Sequence, residues 1–132
     1  MPHSVNAESM KGRTKHFALG VIRLCRSLPR SPESSIISRQ LMRSATSVGA
    51  NYRAVCRARS TADFVSKLGI VLEEADESLF WIELLVDSGI ASVDKTSFVK
   101  AEANELVSIF VASLCTAKSS SKSAICNLKS AI

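Results

Sequence analysis

The sequence predicts an all-α protein, a single-domain antiparallel up-down four-helix bundle. Only three prolines and five glycines occur in 132 residues, of which 46% are hydrophobic and 22% charged, a composition typical of a globular chain rich in helix. Four segments separated by short breaks carry apolar residues at alternating steps of three and four, the repeat of an amphipathic helix. Four such helices with short connections favour an antiparallel bundle.

The first two predicted helices meet at a proline. Helix 1 covers about residues 14–28 and ends at Pro29, because proline disrupts a helix interior. Ser31 is suited to cap the next helix, with Pro32 in its first turn. Helix 2 then continues to about Arg59. Its apolar face consists of Ile37, Leu41, Ala45, Val48, Tyr52 and Val55.

The last two helices are bounded by a serine and a glycine. Ser60 is suited to cap helix 3, predicted at 62–88, and Gly89 is a natural stop after it. Helix 4 is expected to start near Ser92 or Asp94 and to end near Lys118, where the chain becomes rich in serine. We therefore expect a flexible N-terminal tail at 1–12, the bundle at 13–118 and a flexible serine-rich C-terminal tail at 119–132.

Charge is divided unevenly along the chain, although the net charge is only +5. Residues 11–67 contain 12 basic and two acidic residues, whereas residues 68–132 contain five basic and nine acidic residues. This asymmetry suggests either a polyanionic partner for the first half or contact between unlike halves of neighbouring subunits.

Four arginines of helix 2, at positions 39, 43, 53 and 57, fall within an arc of about 80° on a helical wheel. The guanidinium group binds phosphate and carboxylate oxygens in a bidentate manner. Three interpretations stay open: contact with nucleic acid, ion pairs between subunits, and a solvated polar face. The predicted nucleic-acid-binding residues are Arg39, Arg43, Arg53, Arg57 and Arg59, supported by Arg23, Arg26, Arg30 and Lys67.

Helix 3 is apolar on more than one side, and a helix of this kind must bury both sides. Besides its core-facing residues it carries Ile70, Trp81 and Leu84. These residues predict an oligomer interface centred on Trp81, since aromatic residues are common interface anchors. A wider intramolecular core is the alternative.

The sequence offers little to a catalytic or metal site. His3 and His16 both lie near the N-terminus, and neither follows a glutamate at the spacing of a di-iron bundle. No phosphate-binding glycine motif occurs. We therefore expect a protein that is not an enzyme and that holds no metal or cofactor.

Several features indicate a cytoplasmic protein without membrane contact. No apolar run approaches the ~20 residues of a membrane span, and the N-terminus lacks the apolar core of a secretory signal. The four cysteines include no CxxC pair, and we expect reduced, mostly buried thiols.

Three groups of residues occur in order along helices 2, 3 and 4. They are Gln40-Leu41 with RSATSVGANYRA at 43–54; Ser60, Asp63-Phe64, Lys67-Leu68 and EEADES at 73–78; and EANEL at 102–106. Together they resemble the four-helix-bundle family first recognised as 23S rRNA intervening sequence proteins. The resemblance covers about residues 13–118 and is specific only as a combination.

The resemblance implies a small bacterial bundle that assembles as a ring, a homopentamer. Relatives include the accessory protein of diversity-generating retroelements, which binds nucleic acid and a reverse transcriptase through a basic surface. The family supplies no catalytic residues. Many members have Glu-Gly where this chain has Arg53-Ala54, which makes the surface more basic. We expect an oligomeric RNA- or DNA-binding protein; the alternative is an adaptor that binds an acidic protein.

Overall fold

The computed structural model contains four helices: α1 (Ala7–Arg26), α2 (Pro32–Val55), α3 (Thr61–Asp87) and α4 (Val93–Ser130). It describes the backbone of residues 7–130 and the side chains of residues 7–120, and the described backbone contains no strand. Each helix packs against the next in sequence, and α4 also packs against α1, which closes the bundle. The predicted all-α four-helix bundle is confirmed.

The core lies along the apolar faces that the helical repeat predicts. Phe17 and Val21 of α1 and Leu41 and Val48 of α2 are inaccessible to solvent, as are Val71, Ala75, Ile82 and Leu85 of α3 and Ala103 and Leu106 of α4. Burying a large apolar side chain contributes about 1.5–3 kcal/mol, so this core dominates the stability of the bundle. Cys25 and Cys56 are half-buried free thiols, whereas the free thiol of Cys115 is exposed.

The predicted caps are present at the turns. Ser31 Oγ accepts a hydrogen bond from the backbone N–H of Ser34 at 3.1 Å, and Ser60 Oγ accepts one from Asp63 N–H at 3.0 Å. Gly89 has φ 81°, the left-handed conformation that ends a helix. Ser92 caps α4 by accepting from Lys95 N–H at 3.1 Å.

The helix boundaries differ from the predicted ones at both ends of the chain. α1 begins at Ala7, inside the expected N-terminal tail, because Met10 is 2% exposed and belongs to the core. α4 is helical through Ser130, so the expected serine-rich tail is helical over 119–130. Serine lowers helix propensity only slightly, and no glycine or proline interrupts this segment. Residues 1–6 and 131–132 lie outside the described backbone.

Two contacts fix how α1 lies against α2. Gly49 approaches Thr14 so closely that a Cβ built on the glycine would lie 3.5 Å from Thr14 Oγ1. Near the turn, Cys25 Sγ lies 3.9 Å from the backbone oxygen of Ser38. The helices are therefore antiparallel, and the first turns of α1 lie beside the last turns of α2.

Candidate nucleic-acid interface

A groove with a volume of about 480 Å³ runs between α1 and α2. α1 contributes two lysines one helical turn apart, and α2 and its C-terminal turn contribute two arginines at the same spacing. The floor consists of small side chains, because the two backbones approach closely at Gly49. The lining residues are Lys11, Lys15, Ala18, Thr46, Gly49, Ala50, Arg53 and Arg57.

The groove is strongly positive, since no acidic side chain is among its described lining residues. Lys11 Nζ lies 3.2 Å from Glu8 Oε1, but the Glu8 side chain is 85% exposed, and exposed pairs of this kind contribute little. Lys15, Arg53 and Arg57 form no ion pair with another side chain of residues 7–120.

Arg43 lies on the other side of α2 and contacts α3. Its Nη1 is 3.3 Å from Glu74 Oε2, and its Nη2 pairs with Glu77. Glu77 also accepts a hydrogen bond from Trp81 Nε1 at 3.0 Å. The Trp81 hydrogen bond, followed by the interaction with Arg43, lowers the pKa of the Glu77 carboxyl.

The wheel positions explain why these arginines are separated. Arg43 and Arg53 lie at opposite edges of the predicted arc, about 80° apart. Because α1 and α3 pack on different sides of α2, one edge of the arc meets the lysines of α1 and the other meets the acids of α3. The predicted arginine surface is thus divided by neighbouring helices.

Two other predicted residues cluster at the turn between α2 and α3. Lys67 Nζ is 2.8 Å from Asp63 Oδ2, which also accepts from the backbone N–H of Arg59 at 3.1 Å. Both hydrogen bonds lower the pKa of the Asp63 carboxyl, and the bond from Lys67 has the larger effect. The Arg59 side chain is exposed and lines a separate cleft of about 660 Å³ with Tyr52 and other residues.

The remaining predicted arginines lie away from the groove. Arg26 and Arg30 line a small cleft of about 340 Å³ with serines of the first turns of α2, where the helix dipole adds positive potential. Arg23 and Arg39 are exposed and line none of these clefts.

Sequence reasoning missed Lys11 and Lys15. Lys11 lies in the segment predicted as a tail, and its place in the site depends on how far α1 extends. The spacing of Lys11, Lys15 and Ala18 by four and three residues is a helical stripe. Pairing this stripe antiparallel to the end of helix 2 would have placed it beside Arg53 and Arg57.

The predicted oligomer interface residues differ in exposure. Ile70 is 46% exposed, whereas Trp81 and Leu84 are half-buried and pack against the core. Phe80, which is not among the residues predicted from the sequence, is 52% exposed and contacts the Trp81 ring edge-on with 4.9 Å between ring centroids.

The two sides of the bundle carry opposite charge. The exposed acids of α3 are Glu73, Asp76, Glu83 and Asp87, whereas the outer surface of α1 and α2 is basic. Arg13 is an exception on α1, because its Nε donates to Glu102 Oε2 at 2.7 Å and its Nη2 to Glu102 Oε1 at 2.9 Å. This bidentate pair connects α1 to α4. It raises the pKa of Arg13, and its hydrogen bonding is the largest cause of the shift.

In the part of the chain that the structure describes, no group of three or more His, Cys, Asp and Glu side chains is placed to hold a metal ion. No described helix is both long enough and apolar enough to cross a membrane.

Comparison with known proteins connects the fold to a family. The chain resembles the crystal structure of a protein of unknown function from the S23 ribosomal protein family of Bacteroides thetaiotaomicron VPI-5482, with 31% sequence identity and a TM-score of 0.72. The similarity covers 79% of this chain and 96% of that chain. No protein with a curated description matches. The family model of the 23S rRNA-intervening sequence protein matches residues 9–112. The chain therefore belongs to the family of 23S rRNA-intervening sequence proteins.

Proposed function

We propose that this protein is a non-enzymatic, self-associating RNA- or DNA-binding protein that contacts phosphates through the outer surface of α1 and α2. The observation that carries the proposal is a set of exposed cations on or beside these helices that lack an ion-pair partner among residues 7–120. The set consists of Lys15, Arg23, Arg26, Arg30, Arg39, Arg53, Arg57 and Arg59.

Unpaired cations on one surface attract a polyanion, because each phosphate contact releases a counterion. Such contacts position a nucleic acid without reading its sequence. We therefore expect weak sequence preference and strong salt dependence. The name of the family refers to 23S rRNA, and the Bacteroides relative has unknown function; the proposal accordingly rests on the charged surface.

The proposal is tested by fluorescence anisotropy with a labelled RNA hairpin and a labelled DNA duplex at low salt. The Arg39→Gln/Arg53→Gln variant removes two cations from the proposed surface. The matched control, Lys100→Gln/Lys118→Gln, removes the same charge from α4. Binding that weakens only in the first variant supports the proposal, provided that light scattering shows an unchanged oligomeric state. Absence of binding by the wild type overturns it.

The alternative function is an adaptor whose basic surface binds an acidic protein. The divided charge of the bundle favours this alternative as a second candidate, because an acidic surface on another protein could meet the same arginines. Competition separates the two. Heparin and unrelated nucleic acids displace the ligand of a phosphate-binding protein, whereas a shape-specific protein partner stays mostly bound.

Self-association is supported by the outer side of α3. Ile70 and Phe80 expose about half of their surface there, beside the predicted interface residues Trp81 and Leu84. The opposite charges of α3 and the α1–α2 surface also allow ion pairs between unlike faces of neighbouring copies. We propose that the assembly is the homopentamer that the family resemblance implies.

A further inference from the structure

The cleft at the turn between α1 and α2 combines cations with hydroxyl groups. It has a volume of about 340 Å³ and is lined by Cys25, Arg26, Leu28, Pro29, Arg30, Ser34, Ser35 and Ser38. We infer that this cleft binds a single phosphate monoester group through Arg26, Arg30 and Ser34. The inference goes beyond the proposed function, because a discrete site can hold a phosphate ester whether or not the rest of the α1–α2 surface binds nucleic acid.

The observation that carries the inference is the hydroxyl group of Ser34. Ser34 is 2% exposed and lines the cleft. Its backbone N–H donates to Ser31 Oγ, but its own Oγ forms no hydrogen bond with any of residues 7–120. Every fully buried polar side-chain atom of these residues has a partner, so the small exposed part of Ser34 includes Oγ, and this atom faces the cleft. A hydroxyl group this deeply buried without a partner is costly, and a ligand in the cleft supplies the missing hydrogen bond.

The helical repeat places two more hydroxyl groups beside Ser34. Ser38 lies one turn further along α2, and Ser35 follows Ser34 directly, so the three side chains fall within an arc of about 100°. The hydroxyl groups of Ser35 and Ser38 also form no hydrogen bond with the part of the chain whose side chains are described. Three hydroxyl groups are therefore free to donate to a ligand on this side of α2.

Two guanidinium groups supply the charge of the site. Arg26 is the last residue of α1 and Arg30 lies in the turn; both are exposed, and neither forms an ion pair within residues 7–120. Guanidinium groups bind phosphate oxygens in a bidentate manner, and the start of α2 adds positive potential. A phosphate monoester carries a charge of about −1.5 to −2 at pH 7. Two arginines therefore match it better than they match a carboxylate or a phosphodiester, each of which carries a single charge.

The other ionisable groups near the cleft are engaged or neutral. Glu33 is the one acidic residue between positions 9 and 62, and it is not among the described lining residues. Its own backbone N–H, followed by the Ser31 side chain, donates to the Glu33 carboxylate and lowers its pKa. Burial raises the pKa of the Cys25 thiol, so this lining group is neutral at neutral pH. Because Glu33 and Ser31 occupy backbone N–H groups of the first turn, the ligand contacts fall to side chains.

The experiment measures phosphate binding directly by NMR. Amide proton–nitrogen correlation spectra follow the backbone signals of Ser34, Ser35 and Ser38 during titration with inorganic phosphate, phenyl phosphate or acetate at constant ionic strength. We expect saturable shifts with both phosphate probes, at an affinity about ten-fold or more above that for acetate. Absence of saturable shifts with phosphate, or equal affinity for acetate, overturns the inference.

Three variants locate the contacts. Arg26→Gln/Arg30→Gln removes both cations of the cleft and should weaken phosphate binding about ten-fold or more, and Ser34→Ala should weaken it about three-fold or more. The matched control, Arg23→Gln/Arg39→Gln, removes the same charge from exposed positions that do not line the cleft and should have an effect below about two-fold. An equal effect of the control and of Arg26→Gln/Arg30→Gln, or no effect of Ser34→Ala, overturns the inference. Circular dichroism and light scattering confirm that each variant keeps the fold and oligomeric state of the wild type.

A second measurement distinguishes two sources of the phosphate group. Fluorescence anisotropy compares two labelled RNA strands of the same sequence, one ending in a phosphate monoester and the other in a hydroxyl group. Tighter binding of the phosphorylated strand, lost in Arg26→Gln/Arg30→Gln and kept in the control, identifies a nucleic-acid end as the ligand. Equal binding of the two strands, together with saturable binding of phenyl phosphate, identifies a small phosphate ester. Binding of phosphate without binding of any nucleic acid keeps the inference and overturns the proposed function alone.

Discussion

At the scale of single residues, neighbouring side chains decide what an arginine of α2 can bind. Arg43 is held between Glu74 and Glu77 of α3, whereas Arg53 lies in the groove beside lysines of α1. A phosphate would have to compete with two carboxylates for Arg43, and it would find Arg53 without an ion-pair partner in the described chain. Two arginines in the same arc of a helical wheel therefore need not have equal affinity for phosphate.

The first prediction compares these two arginines. Arg53→Gln should reduce the slope of log K against log salt for nucleic-acid binding by about 1, because one phosphate contact is lost. Arg43→Gln removes the same charge but should leave the slope nearly unchanged. Anisotropy titrations at several salt concentrations measure both slopes. An Arg43→Gln effect as large as that of Arg53→Gln would contradict this assignment.

The second prediction concerns the lowered pKa of Glu77. In the folded state this pKa lies below its ordinary value, chiefly because of the hydrogen bond from Trp81 Nε1. The ionised carboxylate therefore stabilises the fold at pH values above its unfolded pKa, and this contribution is lost as pH falls through the folded pKa.

The variant Trp81→Phe should raise the Glu77 pKa toward its ordinary value, as measured by an NMR titration of the side-chain carboxyl carbon. The loss of unfolding free energy in Trp81→Phe should also become smaller as pH falls through the folded pKa of the wild type. The control is Phe80→Tyr, which keeps the indole donor. An unchanged Glu77 pKa in Trp81→Phe would show that the hydrogen bond does not cause the shift.

At the scale of the elements, two glycines show how tightly α1 packs against each neighbour. A Cβ on Gly49 would meet Thr14 of α1 at ordinary van der Waals distances of 3.5–3.6 Å. A Cβ on Gly20 would lie 3.2 Å from Phe98 Cε1 and 3.3 Å from Val99 Cγ1. Val99 is 3% exposed and has little room to move.

The third prediction follows from these distances. Gly49→Ala should raise the free energy of unfolding by about 0.5–1 kcal/mol, because alanine is the better helix former and its methyl group fits. Gly20→Ala should raise the free energy of unfolding by less than Gly49→Ala does, or lower it, since α4 must shift to admit the methyl group. Urea denaturation of both variants measures the difference. A destabilised Gly49→Ala would mean that the α1–α2 contact is closer than described.

The helix ends could be predicted from local sequence, whereas the start of α1 and the composition of the groove depend on tertiary packing. Ser31, Ser60 and Gly89 mark helix ends in the sequence because capping depends on neighbouring residues alone. The predicted helix 1 begins later in the chain than α1 does. The extra residues include Met10, which is helical because it packs into the core. The groove needed the α1–α2 register, which no local pattern contains. Of the predicted site, the sequence could therefore supply arginines but not their partners.

At the scale of the whole molecule, charge is divided between sides of the bundle. The α1–α2 surface is basic, and α3 carries exposed acids together with Ile70 and Phe80. Exposed apolar side chains on one face are typical of an interaction surface. We therefore propose that the basic side binds a polyanion and that the side formed by α3 mediates self-association.

The fourth prediction tests self-association. Ile70→Ser/Phe80→Ser should lower the molar mass in multi-angle light scattering, because it removes the most exposed apolar groups of the proposed interface. The matched control is Ile36→Ser/Val93→Ser, whose side chains are 60% and 68% exposed on α2 and α4. A monomeric wild type, or an equal effect of both variants, would contradict the assignment of the interface to α3.

The most direct measurement of the central claim is the salt dependence of duplex binding by the wild-type protein. Three to eight phosphate contacts, from the unpaired cations of the groove alone up to all eight unpaired cations of the α1–α2 surface, predict a slope of log K against log salt between about −3 and −7. A slope in that range would support phosphate binding by this surface. A slope near zero, or no binding at low salt, would contradict it.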